Sequence, residues 1–384
     1  MFYVAFYDLI KYSSESRSVA PAAADVVRYM ADIMSEDRNI EIVCPARTTN
    51  QKGKYKKRTT AITEKISLTL PFTFGVNSPI GRVLSVAYNQ LWLFFYLLNK
   101  TSKNETVVVY HSLSYMKVIK LLKKIKNWHL ILEVREIYSD VKDSYESLKK
   151  VTEKQRKKEL SFFNQADAFI FPTELLNELI NNSKKPYVIA TGIYESRERI
   201  SESKQDDIIH VVYAGTLSKE KGGAAAATAA AAYLDSRFHI HILGYGSDRE
   251  IEEINAAVAH AQTANGAKVS YDGLLRGDEF TAFIQSCQIG LATQDTRGSF
   301  NDTSFPSKVL MYLSNGLQVL CGRIRVVEQS AVGRYCYYYD EQTPECIAKA
   351  IIELSEKNDR QSAQEALEQL DFKLRTEIKS ILNN

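Results

Sequence analysis

Short apolar runs alternate with longer amphipathic stretches along almost the whole chain. In the first half, "YVAFYDLI", "NIEIVCP", "KISLTLPF", "TVVVYHS", "HLILEV", "AFIFPT" and "PYVIATG" predict strands. Residues 20–34, 80–99, 113–126 and 145–165 predict helices between them. Around 194–207, "YESRERISESKQDD" is charged, carries serines and has no period, so it reads as a linker. The alternation then restarts with "IIHVVYAG", a long Ala-rich helix, "FHIHILG", a helix at 248–262, "AKVSYDG" and a helix at 277–286. It continues with "QIGLAT", a helix within 303–316, "LQVLCG", "RYCYYYD", a helix from 344 and a helical tail over 359–384.

Alternating strands and helices imply mostly parallel sheets with helices on both faces. The expected fold class is α/β, with two Rossmann-like domains facing a cleft. The expected boundaries are 1–195 for the first domain, 196–207 for the linker and 208–358 for the second domain. The segment 359–384 is expected to cross back and pack on the first. Ligands of such sheets bind beyond the carboxyl ends of the strands.

Two segments need separate readings. "VLSVAYNQLWLFFYLLNK" (83–100) is the longest apolar run, but Asn89 and Gln90 interrupt it. It is shorter than the roughly 20 mostly apolar residues that a membrane span needs, and a buried helix is expected instead. "TSFPSKVLMYLSNG" (303–316) has a Pro-Ser opening and a closing Gly that suit a helix start and stop. Val309, Leu310, Leu313 and Leu317 share its core face, while Lys308 and Met311 lie off it. A lysine in the first turn opposes the helix dipole unless an anion sits there.

Composition is globular, with 45% hydrophobic and 25% charged residues. The five cysteines form no CxxC pair, which argues against a zinc site or a disulfide framework and for a reducing cytoplasm. The start, "MFYVAFYDLIKYSSES", has no basic region before its apolar run and reads as a strand rather than a signal peptide. Net charge is only +3 but uneven: residues 51–126 hold 14 basic against 2 acidic side chains. "KGKYKKR" (52–58) is expected to be a loop. In "YMKVIKLLKKIK" (115–126), Val118, Ile119, Leu122 and Ile125 share one helix face, and Lys117, Lys120, Lys123 and Lys124 the other. That basic face is either solvated or set against an anionic membrane surface. Nucleic acid is not expected, because no binding motif is present.

Three glycine turns follow apolar runs in the second half: "YAGTLSKEKGG" (213–223), "LGYGSD" (243–248) and "YDGLLRGDEF" (271–280). Glycine admits close backbone approach, and a following helix start attracts anions. None is a complete dinucleotide fingerprint, which weighs against a nicotinamide oxidoreductase. Strand, Gly turn and "KG", then "GxG", then "PSK" opening a helix that "NG" closes, resembles the C-terminal domain of nucleotide-sugar glycosyltransferases of the GT-B fold, family 4 most closely. The resemblance covers nearly all of 208–355. The first half matches more loosely, through "VVVYHS", "LEVREIYSD", "ADAFIFPTELL" and "YVIATGIY".

The resemblance implies a metal-independent, retaining transferase that uses no cofactor and takes a nucleoside-diphosphate sugar, UDP-sugar first, as donor. The acceptor would be a glycan or lipid-linked glycan. The protein would be cytoplasmic, peripheral on the inner face of the cell membrane through 51–126, and engaged in bacterial-type surface polysaccharide synthesis. It places Gly215, Thr216, Lys221, Gly244, Ser307, Lys308 and Met311 around the donor, with Lys221 and Lys308 on the diphosphate. His111, Glu136 and Asp302 are the expected catalytic positions: His111 on the donor sugar, Glu136 as a base or as an ion-pair partner of Arg135, and Asp302 on the sugar. Asp8 and Arg17 are weaker candidates for the same cleft.

The sequence departs from the family in three places. Many members read Gly-Arg where Gly215-Thr216 stands, so either Arg297 or Lys219 supplies the missing charge or the diphosphate is held less tightly. Met311 occupies the place of a ribose-binding Glu, and Thr303, beside Asp302, that of the sugar-facing carboxylate. These losses support a rival reading, a catalytically silent subunit that stabilises an active partner.

Overall fold

The computed structural model describes residues 1–138, 152–202, 206–218, 223–261, 267–296, 301, 303–357 and 363–383. The chain forms two compact units, Met1–Ile193 with Lys373–Asn384, and Tyr194–Phe372. The first is built on an eight-stranded sheet. Its strands are β1 (Phe2–Val4), β2 (Ile40–Val43), β4 (Arg58–Ala61), β5 (Ile66–Leu70), β7 (Thr106–Tyr110), β8 (His129–Glu133), β9 (Ala168–Phe171) and β10 (Tyr187–Ile189). The sheet order is β10-β9-β8-β7-β1-β2-β5-β4. All neighbours run parallel except β4, which is antiparallel to β5. The central strands read as continuous apolar runs because helices cover both faces. Two further strands, β3 (Lys54–Tyr55) and β6 (Thr73–Phe74), form a small ribbon.

Several expectations change here. "KGKYKKR" is not simply a loop, since it contains β3 and the first residue of β4. "YVAFYDLI" is strand only to Val4, and a 3-10 helix follows at Ile10–Glu15. The helix Pro79–Lys100 forms as expected but is not buried. Only Ser85, Leu93 and Leu97 are enclosed, while Ile80, Val83, Leu84, Leu91 and Phe95 are more than half exposed. The helix is apolar nearly all round, so a single covered stripe leaves an apolar face outside. In the helix Met116–Lys126, Val118, Ile119 and Leu122 are buried, but Ile125 is 43% exposed. Among the described residues, no helix is long and apolar enough to cross a membrane.

The second unit has a six-stranded, wholly parallel sheet. Its strands are β11 (Ile209–Thr216), β12 (Phe238–Tyr245), β13 (Lys268–Gly273), β14 (Ile289–Ala292), β15 (Gln318–Gly322) and β16 (Cys336–Tyr339). The order β13-β12-β11-β14-β15-β16 is the doubly wound order 3-2-1-4-5-6. The Ala-rich segment is shorter than expected: an eight-residue helix, Gly223–Ala230, and then a 3-10 turn. Ala224, Ala227, Ala230 and Ala231 are buried in the core, so the small side chains bring this helix close to the sheet.

Residues of the expected linker are strapped to this unit. Arg197 N–H donates to Ser314 O (2.9 Å), and the Gln285 amide accepts from Ile200 N–H (2.8 Å) and donates to Glu198 O (2.8 Å). The helix Gln364–Asn383 ends in the first unit. There Arg375 and Lys379 pair with Glu36 at 2.5 and 2.7 Å. All five cysteines are free thiols.

Candidate functional site

The second sheet reverses its winding between β11 and β14, and a crevice at the carboxyl ends of such strands is where ligands settle. β11 ends in Tyr213-Ala214-Gly215-Thr216. The helix Ser307–Ser314 starts beyond β14, and its cap residue, Pro306, offers no side-chain acceptor to the first-turn N–H groups. It stops where Gly316 takes φ +80°, with Gly316 N–H bonding Leu313 O (3.0 Å) and Leu317 N–H bonding Tyr312 O (3.1 Å). Val309, Leu310, Leu313 and Leu317 are buried, as the spacing requires.

Lys308 lies on the end of β11. A methyl group added at Gly215 would stand 2.4 Å from Lys308 Cε and 2.8 Å from its Nζ. The Nζ is 5.2 Å from the Tyr213 ring centroid. Tyr312, on the same helix, accepts Ala214 N–H (2.8 Å) and donates to Leu291 O (3.3 Å), which ties the lysine's helix to both β11 and β14. Gly244 pairs with Gly215 across β11 and β12. It has φ +152°, and a Cβ there would lie 1.7 Å from Gly215 O, so the two turns meet backbone to backbone. Thr293 Oγ1 donates to Gly223 O (2.8 Å), joining the start of the Ala-rich helix to the end of β14. Burial pushes the Tyr213 and Tyr312 hydroxyls up, so both are neutral. Lys308 thus supplies positive charge beside a helix start and two glycine turns, an arrangement suited to an anion.

Thr216 is half-buried; its carbonyl accepts from Tyr213 OH (2.9 Å) and its hydroxyl from Ser218 N–H (3.2 Å). Ser307 is exposed, and Met311 is half-buried one turn beyond Lys308. Lys221 and Asp302, with the stand-in cations Lys219 and Arg297, lie outside the described residues.

In the first unit, His111 directly follows β7 and is 1% exposed. Its Nε2 bonds Glu159 Oε1 at 2.8 Å, and the same oxygen accepts Tyr138 N–H at 2.9 Å. The carboxylate fixes the tautomer, with Nε2–H donating. Nδ1 is then a buried acceptor, and no group among the described residues bonds it. Arg135 pairs with Glu133 at 2.6 Å, and Glu133 also accepts from the Tyr3 hydroxyl. Glu136 is half-buried in the segment after β8. Arg17 is not a cleft residue: it is buried, paired with Glu15 (2.8 Å) and donates to Ala46 O and Pro71 O at 3.0 Å each. Burial raises the Asp8 carboxyl.

Sequence reasoning missed Tyr213 and Thr293, which have no motif of their own, and Glu159, which lies 48 positions from His111. It also missed a buried cluster of His210, His239 and His241. Its signal was "HIH" in "FHIHILG", which puts two histidines on one face of a strand.

No family model and no curated protein matches the sequence. Solved structures do match in fold. An E. coli trehalose-6-phosphate structure bound with UDP-2-fluoro glucose aligns at TM-score 0.68 and 8% identity, over 100% of this chain and 99% of that one. A sucrose-phosphate synthase from Thermosynechococcus elongatus aligns at 0.68 and 13%, over 100% and 95%. Anabaena HepE in complex with UDP aligns at 0.67 and 11%, over 100% and 99%. With its two parallel-sheet domains in tandem, the chain has the GT-B fold.

Proposed function

We propose that the protein is a glycosyltransferase whose second unit holds a nucleoside-diphosphate sugar and whose first unit receives the acceptor. The observation that carries this reading is the Lys308 ammonium lying on Gly215 at the switch point of the second sheet. A diphosphate there gains a cation and helix N–H groups, and as leaving group it is stabilised without a metal. UDP is the first nucleotide to test, because two of the fold's relatives hold UDP or a UDP-sugar analogue. We assign retention of anomeric configuration and a glycan or lipid-linked glycan acceptor on the resemblance to family 4.

The reading includes an anionic membrane surface as a partner and a peripheral place at the inner face of the cell membrane. The helix Pro79–Lys100 exposes Ile80, Val83, Leu84, Leu91 and Phe95; Lys52, Lys54, Lys56 and Lys57 are also exposed, and Lys57 Nζ stands 4.8 Å from the ring centroid of Tyr96, a half-buried residue of that helix. An apolar ridge with flanking lysines is the pattern of an interfacial helix. Such a place suits the synthesis of surface polysaccharide on a lipid carrier. Met311, half-buried where the family has a carboxylate, favours a second reading, a non-catalytic subunit that binds a partner transferase.

The test is to screen purified protein against UDP, GDP, CMP and their sugars by thermal shift and by release of free nucleotide. A raised midpoint with one diphosphate, together with sugar transfer or donor hydrolysis, supports the enzyme. Binding without turnover, or no binding at all, refutes the enzyme and leaves the silent subunit, which measured transfer or donor hydrolysis would refute.

A further inference from the structure

His210 on β11 and His239 and His241 on β12 sit on neighbouring parallel strands, with His210 paired to His239 and Val212 to His241. All three are buried. Each presents one ligand-capable atom, and the three atoms lie within 4.8 Å of one another. The outer nitrogens are anchored. His210 Nε2 bonds Asp206 at 3.2 Å, His241 Nδ1 bonds Asp272 at 3.0 Å, and His239 Nε2 bonds Ser270 Oγ at 2.9 Å. Two inner nitrogens, His210 Nδ1 and His241 Nε2, then face each other at 2.9 Å.

A neutral imidazole carries one N–H. If both rings direct it outward to their carboxylates, two lone pairs meet. If one turns it inward, its outer nitrogen no longer donates to its carboxylate, which keeps Ser270 Oγ (2.8 Å) in the case of Asp272 and Ile208 N–H (3.2 Å) in that of Asp206. A cation between the rings lets both keep their outward N–H on Asp206 and Asp272 while Ser270 Oγ stays within reach of His241 Nδ1 (3.3 Å) and Asp272 (2.8 Å). Imidazoles held from behind by carboxylates are the usual outer shell of a transition-metal site. We propose that His210, His239 and His241 bind a divalent transition metal, Zn2+ by preference, with water in the fourth position, in a site that braces the second unit.

The donor set is all imidazole, which suits zinc, copper and nickel rather than calcium or magnesium. Tetrahedral Zn–N bonds of about 2.0–2.1 Å set neighbouring nitrogens about 3.3–3.4 Å apart, so the inner pair opens by about half an ångström and the wider spacing, up to 4.8 Å, closes by about 1.4 Å. The site is separate from the diphosphate crevice. His210 precedes Gly215 by five residues of β11, about 16 Å at strand rise. Its role is to pin β11, β12 and, through Asp272 and Ser270, β13. The ring of Phe283, 5.1 Å from His241, closes the cluster on one side.

The full-length protein, stripped with a chelator and dialysed, is titrated with Zn2+ and separately with Co2+. The expected result is one metal per chain, a higher thermal midpoint, and a tetrahedral Co2+ visible spectrum with no thiolate charge-transfer band. Asp272→Asn keeps the three ligands and is expected to weaken binding 10- to 100-fold. His210→Gln and His241→Gln are expected to abolish stoichiometric uptake. If those two variants do not fold, the Asp272→Asn affinity decides. No stoichiometric uptake by the wild type would overturn the proposal and leave a shared proton as the occupant. Uptake of equal affinity in Asp272→Asn or in a folded histidine variant would also overturn it.

Discussion

Gly215→Ala provides a direct test of the diphosphate site, because its effect depends on Lys308. The added methyl would lie 2.4 Å from Lys308 Cε, where ordinary contact begins near 3.4 Å. The obstacle is the tip of a flexible side chain, so the protein is expected to fold with the ammonium displaced by about 1 Å. A charge-assisted hydrogen bond contributes about 1.5–3 kcal/mol. Losing it corresponds to a roughly 10- to 150-fold rise in Kd for a nucleoside diphosphate. Lys308→Ala is expected to cost the same, and to weaken the bare nucleoside hardly at all. In the Lys308→Ala background the methyl is left with the Tyr213 hydroxyl at 3.4 Å, an ordinary contact, so Gly215→Ala is expected to add almost nothing. Calorimetric titration of the wild type, both single variants and the double variant with UDP and uridine completes the cycle. Fully additive losses, or equal losses for UDP and uridine, would refute the placement of Lys308 on the diphosphate.

Met311→Glu is expected to strengthen nucleotide binding by supplying the ribose with a hydrogen-bond acceptor; an unfolded variant, or unchanged binding in a protein that already binds tightly, would assign Met311 to the core. Gly244→Ala is expected to destabilise the second unit severely, since its Cβ would fall 1.7 Å from a backbone oxygen at φ +152°, and a thermal midpoint within a degree of wild type would contradict that. The protein is expected to sediment through its 51–126 block with anionic but not neutral vesicles at low salt and to be released as salt rises, because exposed charges are screened within about 10 Å at 0.1 M. Leu84→Asp should weaken that sedimentation, and indifference to lipid charge would defeat the membrane assignment. Burial alone would raise the Glu36 carboxyl, but hydrogen bonds from Lys379 and Arg375 outweigh it and hold the pKa below 4.5. Its stabilisation is therefore complete above the unfolded value and lost as pH falls through the lower folded one. The midpoint gap between wild type and Glu36→Gln should shrink below about pH 4, and a gap constant from pH 7 to pH 3 would disprove it.

Much of the architecture is a property of the local pattern. Strands such as "TVVVYHS" and "IIHVVYAG" are apolar throughout because both faces of a parallel sheet are covered, and that demand is visible residue by residue. The helix of Ser307–Ser314 was legible for the same reason, with its Pro start, Gly stop and 3–4 spacing all within a dozen positions. Lys308 stood out because a first-turn lysine conflicts with the helix dipole. What the sequence could not settle depended on groups brought together from afar. The pattern of 83–100 is apolar on every side, so only tertiary packing could decide which stripe is covered and which stays exposed. Arg17 looked available until Glu15 and two distant carbonyls enclosed it. Glu159 meets His111 across 48 residues, and His210 meets His241 across 31, with no local rule linking either pair. A period of 2 or 3.6 fixes which face a residue occupies, whereas the identity of the neighbour on that face is set by strand order and register, which are properties of the folded sheet.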